Sequence, residues 1–199
     1  MSLLVLLALI IVIVYFIPKY RKPLVFSNFL SPEECEYIRR KASSEMKPST
    51  VSENKNIDTN IRKSDTAWLS LNDPVVRRVT ERCIAMTDRP LGNCEKLQVL
   101  RYREGGFYRP HLDTIRGHQN KRMYTFILAL NDEYEGGSTA FPNINKIYKL
   151  KKGDVLFFDT LDNYEMETSK ALHSGTKVIS GEKWIANLWI HKYDFTPGN

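Results

Sequence analysis

Cysteine is scarce in this chain of 199 residues: it has three, Cys35, Cys83 and Cys94, and no two form a C-x-x-C pair. That spacing excludes a zinc knuckle and a dense disulfide framework. A Cys83–Cys94 bridge in an oxidising lumen and three buried thiols both stay open. Histidine is as sparse, with four residues in all, so an imidazole-built site has few ways to assemble. No internal repeat, low-complexity tract or second-domain linker is present, and the length favours one domain. The formal charge of +6 is spread among Glu and Asp instead of forming a basic stripe, which makes nucleic acid an unlikely partner and a solvated surface the better reading.

The amino end lacks a basic n-region and a small-residue cleavage site, so "MSLLVLLALIIVIVYFI" does not read as a cleaved signal peptide. We expect an uncleaved membrane anchor over residues 1–20 and a catalytic domain over 21–199. As a helix, Leu3 to Ile17 is about 22 Å long at ~1.5 Å per residue, so flanking residues extend it into the interface. Lys19, Arg21 and Lys22 follow, and the positive-inside tendency would leave the folded part in the cytosol.

What is present is enough apolar residue, 42%, for one core. "LVFSNFL" reads as a short strand. "SPEECEYIRRKASSEM" starts a helix with Ser31 as N-cap, Pro32 next and Glu34 completing a capping box. "NDPVVRRVTERCIAM" does so with Asp73 and Pro74, and places Val75, Val79 and Cys83 on one face. Between them the polar run Lys47 to Lys63 looks like a mobile loop. From Lys96 the texture changes to "KLQVLRY", "RMYTFILAL", "NKIYKL", "DVLFFD", "HSGTKVIS" and "KWIANLWIH", short β-rich runs broken by glycine turns. The expected fold is mainly β: an antiparallel sandwich or barrel with N-terminal helices packed against it.

In "GGFYRPHLDTI" an extended backbone would turn His111 and Asp113 to the same side. Alone, H-x-D is more often a hydrogen-bonded core pair than a metal site. A further ligand has to come from elsewhere. His118 lies in a polar loop and His191 at the domain's end, whereas His173 opens "ALHSGTKVISGEKWIANLW". A hairpin centred near Gly181 would set His173 opposite Trp189, with Lys183, Ile185, Asn187 and Trp189 on its face. Two His and one carboxylate leave three octahedral corners open, the facial arrangement of non-haem Fe(II) oxygenases. A Lys buried nearby needs an anion, and a dicarboxylate co-substrate would supply it.

The ordered set "LQVLRYREGGFYRPHLD", "LNDEYEGGSTAFP", "KKGDVLFFD", "ALHSG" and "GEKWIANLWIH" resembles the prolyl 4-hydroxylases among the Fe(II)- and 2-oxoglutarate-dependent dioxygenases, in particular the alpha-subunit catalytic domain. The resemblance spans about Val25 to Lys192. It implies a double-stranded β-helix, or jelly roll, with catalytic iron ligands at His111, Asp113 and His173. It implies 2-oxoglutarate contacts at Tyr102, Thr139 and Lys183, and substrate contacts at Tyr108, Arg122 and Trp189. Lys177 stands where the family commonly has Pro, and strand parity makes it a rival to Lys183.

The implied reaction is hydroxylation of a peptidyl proline at C4, with O2 consumed, 2-oxoglutarate converted to succinate and CO2, and L-ascorbate maintaining ferrous iron. The implied partner is a proline-containing peptide or protein, met without an added peptide-binding domain. The implied location is the endoplasmic reticulum membrane, with sidedness open. Rival readings are a same-fold dioxygenase acting on another peptide residue or on nucleic-acid bases, and a non-catalytic jelly-roll binding module. Oligomeric state is not legible.

Overall fold

Ser31 caps the first helix as its sequence requires: its hydroxyl accepts from the Glu34 amide while the Glu34 carboxylate accepts from the Ser31 amide. This helix, α1 (Pro32–Ser43), buries Cys35, Ile38 and Ala42. The second, α2 (Pro74–Ile84), is capped by Asp73, which accepts from the Val75 and Val76 amides. Its buried face is Val76, Val79, Thr80 and Cys83. The expected face included Val75, which is half-buried, because the helix meets the sheet one position further round. Arg82 clamps Glu34 with two bonds of 2.9 and 2.7 Å, fastening α2 to α1. A computed structural model describes residues 17–51, 56–114, 117 and 119–196.

Among the described residues there are fourteen strands. They are β1 (Leu24–Phe26), β2 (Lys47–Pro48), β3 (Arg62–Lys63), β4 (Asp65–Leu69), β5 (Leu97–Tyr102), β6 (Phe107–His111) and β7 (Arg122–Ala129). Then come β8 (Tyr134–Gly136), β9 (Thr139–Phe141), β10 (Lys146–Tyr148), β11 (Val155–Asp159), β12 (His173–Gly175), β13 (Val178–Gly181) and β14 (Lys183–His191). A seven-stranded sheet runs β1-β11-β7-β14-β5-β4-β2, and a five-stranded sheet runs β10-β9-β12-β6-β3. Strands β8 and β13 pair separately.

Side-chain alternation divides the larger sheet into two faces. On β14, Trp184, Ala186, Leu188 and Ile190 join both helices in one core cluster. Ile185, with Leu100, Ile127, Phe141 and Phe158, belongs to a second cluster between the sheets. This mainly β jelly-roll architecture matches expectation. All three cysteines are free and buried, so the open question of a Cys83–Cys94 bridge closes on the side of thiols.

Two readings of the sequence need correction. "HSGTKVIS" is not one strand: β12 pairs with β6 and β9, and β13 pairs with β8. His173 therefore faces His111 across the smaller sheet, not Trp189, because the chain changes sheets at Thr176 and Lys177. The run Lys47–Lys63 is not simply a loop either, since its ends form β2 and β3 and Arg62 is buried at 7% exposure.

The segment before β1 is fastened down. Arg21 binds Asp159 at 2.9 and 2.6 Å, Lys19 and Asn163 exchange hydrogen bonds, and the Tyr148 hydroxyl donates to the Pro23 carbonyl at 3.2 Å. The anchor expected over residues 1–20 falls mostly on residues 1–16, outside those described. Among the described residues no helix is long and apolar enough to cross a membrane.

Candidate active site

The β6–β12 pairing makes His111 and His173 direct register partners, with ring centroids 4.3 Å apart. Asp113 lies two residues past His111, and the ligand atoms of the three residues all fall within 4.8 Å of one another. Nε2 of His111 is 3.6 Å from Asp113 Oδ1, and Nε2 of His173 is 3.7 Å from Oδ2. The two Nδ1 atoms face the Arg109 and Ala171 carbonyls at 2.9 and 3.0 Å. With Nδ1 as donor, both Nε2 lone pairs point at the common centre. Thr125 Oγ1 donates to Asp113 Oδ2 at 2.7 Å and fixes the carboxylate.

The electrostatics suit a divalent cation. Burial, and then the neighbouring His173, push the His111 imidazolium well below its ordinary range, which keeps that ring neutral. Burial pushes the Asp113 carboxyl up, but His173, His111 and Arg122 outweigh it and hold it ionised well below the usual range. Two imidazoles and a carboxylate form a donor set that fits ferrous iron.

Lys183 and Tyr102 are register partners across β14 and β5, with Nζ 5.4 Å from the ring centroid. Lys183 is 4% exposed and has no carboxylate partner among the described residues. Burial, with Lys149 adding repulsion, brings its ammonium down to about 7. Such a lysine calls for an anion. Gly137 holds its turn at φ +61, where a Cβ would sit 2.9 Å from the Tyr134 ring and 3.1 Å from Lys183 Cδ, so glycine is favoured beside that stem. Thr139 is buried on β9, next to β12. Lys177, the other candidate, is exposed.

A pocket of about 420 Å³ opens beside the trio and is lined by His111, Asp113, Tyr108, Arg122 and Trp189. Tyr108 stacks on His111 at 3.6 Å between centroids, and the Arg122 guanidinium lies 3.8 Å from the centroid of the Trp189 ring. All three expected substrate-contact residues are thus gathered beside the metal-type trio. Of the other histidines, His118 lies outside the described residues. His191 is buried away from the trio and bonds Glu95 at 2.8 Å.

Sequence reasoning missed Glu95, Arg62 and Trp68. Glu95 accepts from Arg122 Nε at 2.6 Å as well as meeting His191, and so aims the guanidinium. Burial pushes its carboxyl up, while His191 and Arg122 hold it below its usual range. Nothing in "NCEKLQ" signals this, because both partners are distant in the chain. Arg62 covers Tyr108 at 4.6 Å, and Trp68 meets Trp189 at 6.1 Å. Among the described residues, Arg62 Nη2, Thr114 Oγ1, Asn187 Oδ1 and Trp189 Nε1 are buried without a hydrogen-bond partner, and all four residues line this pocket. Orphaned polar atoms gathered in one cavity mark a place for a polar ligand.

The family model of the 2OG-Fe(II) oxygenase superfamily matches residues 97–191, from β5 to the end of β14. Fold and donor set therefore define the class: an Fe(II)- and 2-oxoglutarate-dependent dioxygenase. A protein of Acanthamoeba polyphaga mimivirus bearing the prolyl 4-hydroxylase name is 37% identical over 190 residues, covering 89% of this chain and 77% of its own length. Prolyl 4-hydroxylase 1 of Arabidopsis thaliana is 32% identical, over 85% of this chain and 68% of that protein. The chain belongs to the prolyl 4-hydroxylase family. Among solved structures, the viral collagen prolyl hydroxylase of Paramecium bursaria Chlorella virus-1, in its 2OG complex, aligns with a TM-score of 0.70 at 28% identity, covering 88% of this chain and 97% of that one.

Proposed function

We propose that the chain hydroxylates peptidyl proline at C4, using Fe(II), 2-oxoglutarate and O2, with L-ascorbate keeping the metal reduced. The observation that carries the reading is the His111–Asp113–His173 trio, of which His111 and Asp113 line a pocket walled by Tyr108, Arg122 and Trp189. In this reading the trio holds the iron through two Nε2 atoms and one carboxylate oxygen. Bound there with 2-oxoglutarate and O2, iron supplies the oxidising chemistry: one oxygen atom ends in succinate as CO2 leaves, and the other enters the C4–H bond.

The protein's own residues bind, orient and exclude water. Lys183 pairs with the far carboxylate of 2-oxoglutarate, and Tyr102 and Thr139 provide hydroxyls beside it. Trp189 and Tyr108 give the prolyl ring flat walls, while Trp189 Nε1 is free to donate to a peptide carbonyl. Arg122 is held by Glu95 and donates to the Asp113 carbonyl at 3.2 Å, which ties the substrate wall to the metal strand.

The test is mass spectrometry of proline-rich and collagen-like peptides incubated with the protein, Fe(II), 2-oxoglutarate and ascorbate. A gain of one oxygen on proline, matched by one succinate, supports the reading. Turnover of 2-oxoglutarate with no oxygen gained on any proline peptide overturns the substrate class.

We also propose a single-pass anchor, at the endoplasmic reticulum membrane. It rests on the uncharged apolar run at residues 1–17, the basic residues after it and the family resemblance. Release of the full chain from membranes by alkaline carbonate without detergent would count against it.

A further inference from the structure

Strands β8 and β13 form a ribbon of their own, and β13 ends two residues before Lys183. From β8 the chain turns through Gly136, Gly137 and Ser138 into β9, which belongs to the smaller sheet. Both glycines take positive φ, +68 and +61, so the chain folds back tightly but has no side chain at the bend with which to hold itself. The inner side of the bend follows the Lys183 stem, since a Cβ on Gly137 would come within 3.1 Å of Cδ. Its exit carries Thr139. The positions of two residues assigned above to 2-oxoglutarate thus depend on where a bend without side chains comes to rest.

A second lysine holds that bend from outside. Lys149 directly follows Tyr148, the register partner of Thr139 on β10. Its ammonium donates to the Tyr134 carbonyl at 3.0 Å and to the Gly136 carbonyl at 2.8 Å. The same Nζ lies 3.4 Å from the centroid of the Tyr134 ring. That ring borders the bend in its own right, 2.9 Å from the position of a Gly137 Cβ. Contacts therefore run without a break from Lys149 through Tyr134 and Gly137 to Lys183. Hydrogen bonds from a charged donor are roughly twice as strong as neutral ones. Here two of them close on one turn, which sets Lys149 apart from a merely solvated surface charge.

We propose that Lys149 is a positioning residue for the co-substrate, and that by pinning the glycine bend against the Lys183 stem it makes the site selective for the length of the diacid. Lysine has a flexible four-carbon stem, and a wall alongside Cδ removes rotamers through which the ammonium would draw back. With the wall fixed, the span from the metal-type trio to Nζ is fixed as well. 2-Oxoglutarate, a five-carbon 2-oxo diacid, fills that span when its keto-acid end is at the trio and its far carboxylate is on Lys183. The six-carbon homologue, 2-oxoadipate, carries one methylene too many, and a fitted site discriminates one methylene by about 10–200-fold. A loose bend lets Lys183 retreat and forfeits that discrimination. The inference rests on the 2-oxoglutarate role given to Lys183 above and deepens it.

The experiment uses the full chain with Fe(II), O2 and ascorbate but no peptide, so that it does not depend on which protein is hydroxylated. Each diacid then loses CO2 to give succinate or glutarate, with ascorbate supplying the two electrons that a substrate C–H bond would otherwise give. The ratio of kcat/KM for 2-oxoglutarate to that for 2-oxoadipate is expected to be about 10–200 in the wild type. In Lys149→Met it falls toward one, with the 2-oxoglutarate KM raised and Fe(II) affinity unchanged. Lys149→Arg keeps charged donors and is expected to keep most of the ratio. The ratio is taken within one preparation, so partial unfolding does not move it. A wild-type ratio of one, an unchanged ratio in Lys149→Met, or an equal loss in Lys149→Arg overturns the role of Lys149 while leaving the 2-oxoglutarate reading intact. Absence of CO2 release from 2-oxoglutarate in the wild type overturns both.

Discussion

His111 and His173 face each other across β6 and β12, and each turns Nδ1 to the carbonyl two residues before it on its own chain. The repeated device means that neither ring is aimed by a flexible partner. Backbone geometry alone brings both Nε2 atoms to one side, and Asp113 meets them there.

Replacing His111, Asp113 or His173 with Ala is expected to abolish iron-dependent decarboxylation of 2-oxoglutarate. Thr125→Val removes only the hydrogen bond that steadies Asp113. Its Fe(II) affinity is expected to fall roughly 10- to 100-fold, the usual effect of losing an outer partner. Iron titration followed by bound-metal analysis measures both, and full binding by Thr125→Val would show that the carboxylate is held by other means.

Lys183 predicts a pH dependence for the co-substrate. In the empty protein its ammonium titrates at about 7, and a bound carboxylate raises that value. Binding above pH 7 therefore takes up a proton. Affinity for 2-oxoglutarate is highest below pH 7 and weakens as pH rises, by up to about tenfold per unit until the bound-state value is reached. Calorimetry at pH 8 in two buffers of different ionisation enthalpy should reveal the uptake. Lys183→Gln should abolish the uptake and raise the 2-oxoglutarate requirement steeply, whereas Lys177→Ala should do neither.

Asp73 links the helices to acid stability. Burial pushes its carboxyl up, but hydrogen bonds from Lys41, the Val76 amide and Tyr37 together bring it down to about 2. A carboxylate lowered on folding stabilises the protein above its unfolded value, near 4, and loses that contribution as pH falls toward 2. Asp73→Ala should cost about 1–2 kcal/mol at neutral pH through the lost cap. Denaturant titrations between pH 5 and 2 should show wild type and variant converging.

Glu95→Ala removes the carboxylate partner of the half-buried Arg122, which keeps only its bond to the Asp113 carbonyl, and should cost less than the about 3–5 kcal/mol typical of a fully buried pair. Glu95→Gln retains a hydrogen-bond acceptor and should be milder in stability. Both should raise the peptide KM more than the 2-oxoglutarate KM, since Arg122 lies against Trp189 and not against Lys183. Equal effects on the two constants would argue for general loosening.

The parts of this site that lay on local pattern were legible. Ser31 and Asp73 carry complete capping signals, and alternation along "KWIANLWIH" separates Lys183, Ile185, Asn187 and Trp189 from the core residues between them. Pattern alone could not tell which sheet a strand would join. Period two is the same in both sheets, so "HSGTKVIS" hid a change of partner at Thr176 and Lys177. Glu95 was invisible for a related reason: its value depends on Arg122 and His191, 27 and 96 positions away. The trio was recovered through resemblance, because H-x-D by itself is too common to identify a metal centre.

The binding of Arg21 to Asp159 and the pairing of β1 with β11 have a mechanical consequence. From Ile17 to Pro23 a fully stretched chain could reach no more than about 25 Å, and the contacts at Lys19 and Arg21 take up most of that slack. A pull applied at Ile17 would therefore pass within a few residues into β11 and the larger sheet instead of being absorbed by slack chain.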